Sequence, residues 1–306
     1  MPKKQNDTSQ VLKTLSKRKD TYVKYEGEEV ITWCHGCGDY NIQNALKRAL
    51  TLEGFHYQDV LHSYDIGCNG NGSDKIGGYT VHGLHGRSIS LGAGASLGNS
   101  KLKIIASGGD GGTMSEGISH LVHSVRSDYP MLFILHNNHN YGLTTGQASA
   151  TTPKGFAMNG SPDGVVVEPM NPSEFVLGLH PTFVARSFSG DIKHMTKTLR
   201  AALKHKGFAF VEMLQVCPTY NRATPQEWYW DRIKYIEDLK KYDSTNLDAA
   251  KKIVQDFEKE IYLGVLYQKK DYPPFQERLP SREGIKTSPH EEVKNFDISK
   301  FLKDFE

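Results

Sequence analysis

Asp110 lies near the end of the run Ile104-Ile105-Ala106-Ser107-Gly108-Gly109-Asp110-Gly111-Gly112, and Asn138 follows 28 positions on, closing Phe133-Ile134-Leu135-His136-Asn137-Asn138. Each run is apolar and turns polar at its C-terminal end, which is where parallel α/β sheets place their ligands. An acid at one strand end and an amide at another supply oxygen donors, the type that Mg2+ prefers. Gly111 and Gly112 let backbone N–H groups come close to an anion. Together they make a Mg2+–diphosphate cradle. Read only as structure, the same residues form a Gly-rich strand-to-helix turn followed by a polar loop.

The second reactive set is the cysteines: Cys34 and Cys37 in Trp33-Cys34-His35-Gly36-Cys37-Gly38, then Cys68 and Cys217. Four thiolates with none to spare suit a tetrahedral metal site, either structural Zn2+ or a [4Fe–4S] cluster. A zinc ribbon usually has two local pairs, and here only one is local. The alternative is that Cys68 and Cys217 are ordinary buried thiols. Against it, both fall at the same strand-end edge as Asp110 and Asn138.

These residues need a scaffold of alternating strands and helices. Helix is predicted for 39–52, with Ile42, Ala45, Leu46 and Leu50 on one face, and strand for 60–66, ending at Gly67-Cys68. The Gly/Asn-rich stretch 68–78 reads as loop, 86–97 as a tightly packed helix, 101–107 as strand, 114–127 as helix and 131–136 as buried strand. Residues 140–164 form a long Gly/Ser/Thr-rich loop, and loops of that length in compact domains are functional or disordered. Strand 182–188, helix 192–206 and strand 208–216 complete the rhythm, the last delivering Cys217. The fold class is α/β, a doubly wound, mainly parallel sheet with helices on both faces. After Asn221 the composition turns to charge and to Trp and Tyr. The domains are therefore a mobile N-terminal tail over 1–22, a cofactor domain over 23–221 and a C-terminal extension over 222–306, wrapped on the core or on a partner.

The chain has 306 residues, 38% of them hydrophobic and 24% charged, with a net charge of +2. The length suffices for one large core or two modest ones. The near-neutral balance gives no support to nucleic-acid binding. No apolar run reaches the roughly 18–20 residues that span a bilayer, and the polar, basic N-terminus has no apolar core to serve as a secretory signal. The expected location is cytoplasmic, a reducing compartment in which disulfides are rare.

Gly109-Asp110-Gly111 followed by spaced asparagines resembles the thiamine diphosphate motif. The combined pattern resembles the β subunit of 2-oxoacid:ferredoxin oxidoreductases, the pyruvate and 2-oxoglutarate family, from Trp33 to about Asn221. It is dense at Trp33–Gly38, Asp65-Ile66-Gly67-Cys68, His85-Gly86-Arg87, Gly109–Gly111, and Asn137-Asn138 leading to Tyr141-Gly142-Leu143-Thr144-Thr145-Gly146-Gln147. The last of these is highly specific to the family, and Val216-Cys217-Pro218 matches its fourth cluster ligand. The resemblance implies a thiamine diphosphate-binding fold with Cys34, Cys37, Cys68 and Cys217 on one [4Fe–4S] cluster. It implies Mg2+ held by Asp110 and Asn138 side chains and the Asn140 carbonyl. Ile66, Gly67, Cys68, Asn69, His85, Gly111, Gly112, Gly142 and Leu143 would line the thiamine diphosphate, with Lys75 and Leu143 facing substrate. Three places depart from the pattern. The loop Asn69–Asp74 is longer than usual, Gly112 stands where many relatives carry another acid, and His136-Asn137-Asn138-His139 replaces a common Asp-Asn pair.

Most of the thirteen histidines read as core or surface residues. His85 is the exception, since an imidazole can donate to a diphosphate. Arg87 reads as a solvated surface residue. Thiamine chemistry needs a carboxylate against the aminopyrimidine, and this chain offers no candidate. In the family the partner subunit supplies it, so the site is expected at an interface with an α subunit. Trp228, Tyr229, Trp230, Tyr235, Tyr262, Tyr267 and Tyr272 suit such an interface.

The reaction implied is 2-oxoacid plus coenzyme A plus oxidised ferredoxin to acyl-CoA, CO2 and reduced ferredoxin, with 2-oxoglutarate or a pyruvate-like acid as substrate. The alternative is a non-oxidative thiamine-dependent decarboxylase subunit with a four-cysteine zinc site. A non-enzymatic electron-transfer module is more distant.

Overall fold

The computed structural model describes Tyr25, Gly27 and residues 32–303 apart from 256, 258 and 294–296. The tail expected over 1–22 lies outside the described residues.

The scaffold begins with α1 (Gly38–Glu53), which buries Ile42, Ala45, Leu46, Ala49 and Leu50 and stops at Gly54 (φ 81°), whose N–H caps the carbonyls of Leu50 and Thr51. Next come β1 (Val60–Tyr64), β2 (Tyr79–His82), α2 (Ser88–Gly98) and β3 (Lys103–Gly109). They are followed by α3 (Ile118–Ser127), β4 (Met131–Asn137), α4 (Pro172–Gly178), β5 (Phe183–Phe188), α5 (Ile192–Lys204) and β6 (Phe208–Leu214). The chain closes the sheet with α6 (Gln226–Trp230), β7 (Ile233–Tyr235), α7 (Leu247–Ile253) and β8 (Ile261–Gln268).

The strands form one eight-stranded sheet in the order β2-β1-β3-β4-β6-β5-β8-β7. The first six run parallel, and β8 joins β5 antiparallel with a register shift at Val184/Ala185. All seven residues of β4 are buried, as in a strand covered on both faces. Its alternate side chains enter different cores. Leu132 and Ile134 pack with Ile42 and Leu46 of α1 and Leu199 of α5. Met131, Phe133 and Leu135 pack with Ile89 of α2, Leu121 of α3 and Val176 of α4. Strand order reverses between β1 and β3, so the connections that leave their paired C-terminal ends run to opposite sides and leave the crevice in which open α/β sheets bind ligands.

Several expectations need correction. The loop predicted over 68–78 is 3-10 helical at Asn69–Lys75 and leads into β2, a short edge strand that the sequence did not announce. The helix predicted from Met114 opens with a π-helical turn, Gly112–Glu116, closed by Gly117 N–H donating to the Gly112 carbonyl at 2.8 Å. Such turns are frequent at functional sites. β6 stops at Leu214, so Cys217 sits in the following turn. The C-terminal extension is not wrapped around a finished core, because it supplies β7 and β8 to the sheet. Its aromatics pack largely on their own chain. Tyr229 and Tyr267 are buried, Tyr235 donates to Asp191 at 2.8 Å, and Trp230 meets Phe188 edge-on.

Candidate active site

A cavity of about 170 Å3 opens at the C-terminal ends of β1, β3 and β4, lined by Ile66–Asn69, His85, Gly109–Gly112, His136, Asn138, Asn140–Thr144 and Gln215. Every diphosphate-lining residue expected from the sequence is on that wall, drawn together from separate segments of the chain. Lys75 is not. Its ammonium lies 5.2 Å from the centre of the Trp33 ring.

Asp110 follows β3 directly and is 1% exposed. One carboxylate oxygen faces Asn138 N–H at 3.4 Å, and the other accepts from Ser149 Oγ at 2.5 Å and Thr151 Oγ1 at 2.7 Å. Burial nevertheless pushes its pKa up, because hydroxyl and amide donors do not replace the lost hydration. Asp110 is the one carboxylate among the lining residues. Ser149 and Thr151 were not singled out from the sequence. The one signal was that they belong to the Ser/Thr-rich loop.

The asparagines form a compact knot beside it. Asn140 N–H donates to Asn138 Oδ1 at 3.1 Å, Asn140 Nδ2 to the Asn138 carbonyl at 2.9 Å, and Asn221 Nδ2 to the same carbonyl at 3.0 Å. His139, at φ 59°, points away and donates through Nδ1 to the Thr151 carbonyl at 2.9 Å. Chain reversal at a left-handed residue lets Asn138 and Asn140 share one wall.

The glycines leave space for a ligand and for their neighbours. A Cβ at Gly111 would overlap the Tyr141 ring, and one at Gly112 would overlap the free oxygen of Asp65 and crowd His85 Nε2. Asp65 takes up the room beside Gly112. Its Oδ1 accepts from Ile66 N–H at 2.8 Å and Gly86 N–H at 2.6 Å, while its buried Oδ2 has no partner among the described residues. Burial raises the Asp65 pKa from 3.8 to about 6, against the pull of those two amides. His85 lines the cavity with Nδ1 3.6 Å from Glu116. Arg87 is exposed at the start of α2, as expected of a solvated surface residue. It donates to the carbonyls of His85, Gly86 and Glu116 and ties the two loops together.

The cysteines gather along one side. Cys68 lines the cavity, and a Cβ on Gly142 would come 3.3 Å from its sulfur. Cys217 Sγ lies 3.9 Å from Asn140 Oδ1. Trp33 Nε1 donates to the Cys68 carbonyl at 2.5 Å, and Gly38 N–H to the Val216 carbonyl at 3.1 Å, which brings the Cys34–Cys37 turn against the other two segments. Cys37 and Cys217 are buried, Cys68 half-buried and Cys34 exposed. Burial, then Asp39, then Cys217 and Cys34 push the Cys68 thiol up to about 12, and burial with Asp39 and Cys68 pushes Cys37 up as well. Among the described residues, no three or more His, Cys, Asp or Glu side chains close into a finished ligand set.

Residues 65–213 match the family described as the thiamine pyrophosphate enzyme C-terminal TPP-binding domain, and 217–283 match the family described as the C-terminal part of the pyruvate ferredoxin oxidoreductase β subunit. A 2-oxoacid:ferredoxin oxidoreductase subunit β from Sulfolobus sp is 36% identical over 260 residues, covering 81% of this chain and 85% of the relative. The chain belongs to the 2-oxoacid:ferredoxin oxidoreductase β subunits. A 2-oxoglutarate synthase subunit from Methanothermobacter thermautotrophicus is 32% identical over 67% of this chain and 73% of its own length. The solved 2-oxoglutarate:ferredoxin oxidoreductase from Magnetococcus marinus, with 2-oxoglutarate, coenzyme A and succinyl-CoA bound, superposes with a TM-score of 0.83. It is 29% identical and covers 94% of this chain and 96% of that one. This β subunit therefore has the family's α/β thiamine diphosphate-binding fold and is part of an oxidoreductase. Among the described residues, no helix is long and apolar enough to cross a membrane.

Proposed function

We propose that this β subunit holds Mg2+–thiamine diphosphate through Asp110, Asn138 and the Asn140 carbonyl, and one [4Fe–4S] cluster through Cys34, Cys37, Cys68 and Cys217. The substrate would be 2-oxoglutarate or a pyruvate-like 2-oxoacid, and the products acyl-CoA, CO2 and electrons for ferredoxin. The observation that carries the reading is Asp110: a fully buried carboxylate on the cavity wall, oriented by two hydroxyls, with no Lys or Arg among the residues that line the cavity. Such a group fits a divalent cation, which would lower the cost of its burial.

The rest of the wall fits the remainder of the cofactor. The N–H groups and open Cα faces of Gly111 and Gly112 suit a diphosphate, as does the His85 ring, and Ile66, Gly67, Cys68, Asn69, Gly142 and Leu143 complete the wall. Thiols whose ionisation is resisted by burial and by one another fit a group that takes them as thiolates and brings positive charge. When bound, thiamine diphosphate supplies the carbanion needed to break the bond from a 2-oxo carbon to its carboxylate, and the cluster supplies a one-electron relay. The protein's own work is to fix the diphosphate end, orient Asp110, and place Cys68 at the cavity wall.

The site is built for sharing. At about 170 Å3 the cavity is smaller than the roughly 300 Å3 at which ligand pockets begin. Its rim exposes Ile66 at 39% and Leu143 at 50%. The aminopyrimidine carboxylate, the rest of the 2-oxoacid and coenzyme A sites, and the cover over this rim fall to an α subunit, with residues 23–221 carrying the cofactors and 222–306 closing the sheet. The test uses anaerobically purified protein with and without its co-purifying partner. Iron and zinc are measured, and 2-oxoacid-dependent reduction of ferredoxin is assayed across a substrate panel. Four irons, their loss in Cys217→Ser, and turnover only with the partner are expected. Zinc without iron, or robust turnover by the single chain, overturns the corresponding part.

A further inference from the structure

Asp39 has no place in the cradle or among the cysteines, yet it is 1% exposed and stands between them. It occupies the first turn of α1, two residues after Cys37. Its Oδ1 accepts from His136 Nδ1 at 2.7 Å, and its Oδ2 accepts from Gln215 Nε2 at 2.8 Å and faces the Cys37 sulfur at 3.4 Å. The Gln215 amide also lies 3.5 Å from that sulfur. His136 and Gln215 both line the thiamine cavity. A single layer of side chains therefore separates the cavity from a carboxylate that touches a cysteine sulfur.

The arrangement is closely packed. A Cβ at Gly38 would strike both Ser189 and Gln215, so the helix start is pressed onto the segments that follow β5 and β6. A bare carboxylate is a costly group to bury there unless it is hydrogen-bonded. An amide and an imidazole donate to it and orient it. A fixed negative charge beside a thiolate-bound cluster opposes the addition of an electron, and net charge and hydrogen bonds to sulfur are the protein's main controls on cluster potential. The N-terminal amides of α1 act in the opposite sense, favouring negative charge on the cysteines.

We propose that Asp39 is a redox-tuning positioning residue: its carboxylate, fixed by His136 and Gln215, holds down the reduction potential of the cluster that Cys37 ligates. The inference rests on the four-cysteine cluster reading above. The electron comes from oxidation of the 2-oxoacid and leaves to an external one-electron acceptor, and Asp39 is not itself oxidised or reduced. A low potential keeps the reduced cluster able to pass its electron onward to a low-potential carrier.

The experiment is an EPR-monitored potentiometric titration of the holoenzyme, preceded by iron analysis. Wild-type protein without iron removes the cluster reading itself and leaves nothing to tune. With iron present, Asp39→Asn is expected to raise the midpoint by at least a tenfold change in the one-electron equilibrium, about 59 mV. Asp39→Glu, which keeps the charge, should stay near wild type. An iron-replete Asp39→Asn protein with an unshifted midpoint overturns the inference. Where Asp39→Asn fails to retain iron, Asp39→Ser decides: it also removes the charge, with a smaller side chain, and is expected to raise the midpoint, so an unchanged or lowered value overturns the inference.

Discussion

Asp110 and Glu212 are both fully buried carboxylates at the heart of the sheet, and Asn137 and Thr151 lie between them. Glu212 projects from β6 and accepts from Arg186 Nε at 2.8 Å, from Asn137 Nδ2 at 2.8 Å and from Ser173. Burial alone would raise its pKa, but the Arg186 guanidinium with Ser173 and Asn137 outweighs burial and holds it below the usual carboxylate range. Asp110 accepts from hydroxyls and an amide rather than from a guanidinium, and its pKa stays raised. Thr151 connects the two, with its hydroxyl 3.0 Å from Asn137 Oδ1 and 2.7 Å from Asp110 Oδ2. The difference supports the roles proposed for the two: the folded chain gives Glu212 a compensating cation and gives Asp110 only neutral donors.

The sharpest break of that contrast is Asp110→Ala. It is expected to abolish Mg2+-dependent thiamine diphosphate binding while leaving the apo protein as stable as wild type or more so. Calorimetry and urea unfolding read the two effects, and unchanged cofactor affinity would sink the assignment. Arg186→Met should do the reverse. It leaves Glu212 buried without its cation, which costs roughly 3–5 kcal/mol of stability, while cofactor affinity of the folded fraction stays near wild type. Adding Glu212→Leu should recover much of that loss, and a double variant no better than the single one would mean that the pair is not acting as a unit.

Asp65 gives a third, intermediate case. Its folded pKa of about 6 lies above its ordinary 3.8, so its contribution to stability is fully present below about pH 4 and is lost as pH rises through about 6. Asp65→Asn keeps an oxygen to accept from Ile66 and Gly86 and removes the charge. Its stability advantage over wild type should grow across that window to about 3 kcal/mol at most. The comparison must be a difference between the two proteins, because His205, lowered by burial to about 4, costs stability as pH falls over the same range. An advantage independent of pH would show that Asp65 does not titrate there. The smallest effect is expected at Thr151. Thr151→Val removes one donor from Asp110 and should cost about 1–2 kcal/mol of apo stability, while Thr151→Ser retains it. Equal loss in both would point to the methyl group rather than the hydroxyl.

How much of this was legible in the sequence varies with the distance over which it is decided. β1, β3, β4, β5 and β6 lie inside the sheet, so each is a largely apolar run that ends in recognisable polar residues, and Asp110 and Asn138 stand at the ends of two of them. α4 was missed although Asn171-Pro172 and Glu174 announce it: Asn171 caps the Glu174 N–H and Pro172 takes the first helical position. β2 has three exposed residues out of four, Tyr79, Val81 and His82, and no apolar face to announce it.

The sequence alone determined the doubly wound class, the Gly-Asp-Gly and Asn-Asn strand ends, and the cysteine inventory. These depend on hydrophobic period and turn chemistry, which act over a few residues. Tertiary structure alone decided which groups complete one another. Ser149 and Thr151 reach Asp110 from a loop 39 and 41 positions away, Asp39 meets His136 across 97, and Arg186 finds Glu212 across 26. It also decided that β8 joins the sheet antiparallel beside β5. Hydrogen bonds and charge pairs of this kind carry no periodic signature, because their partners are set by sheet order and register rather than by neighbours in the chain.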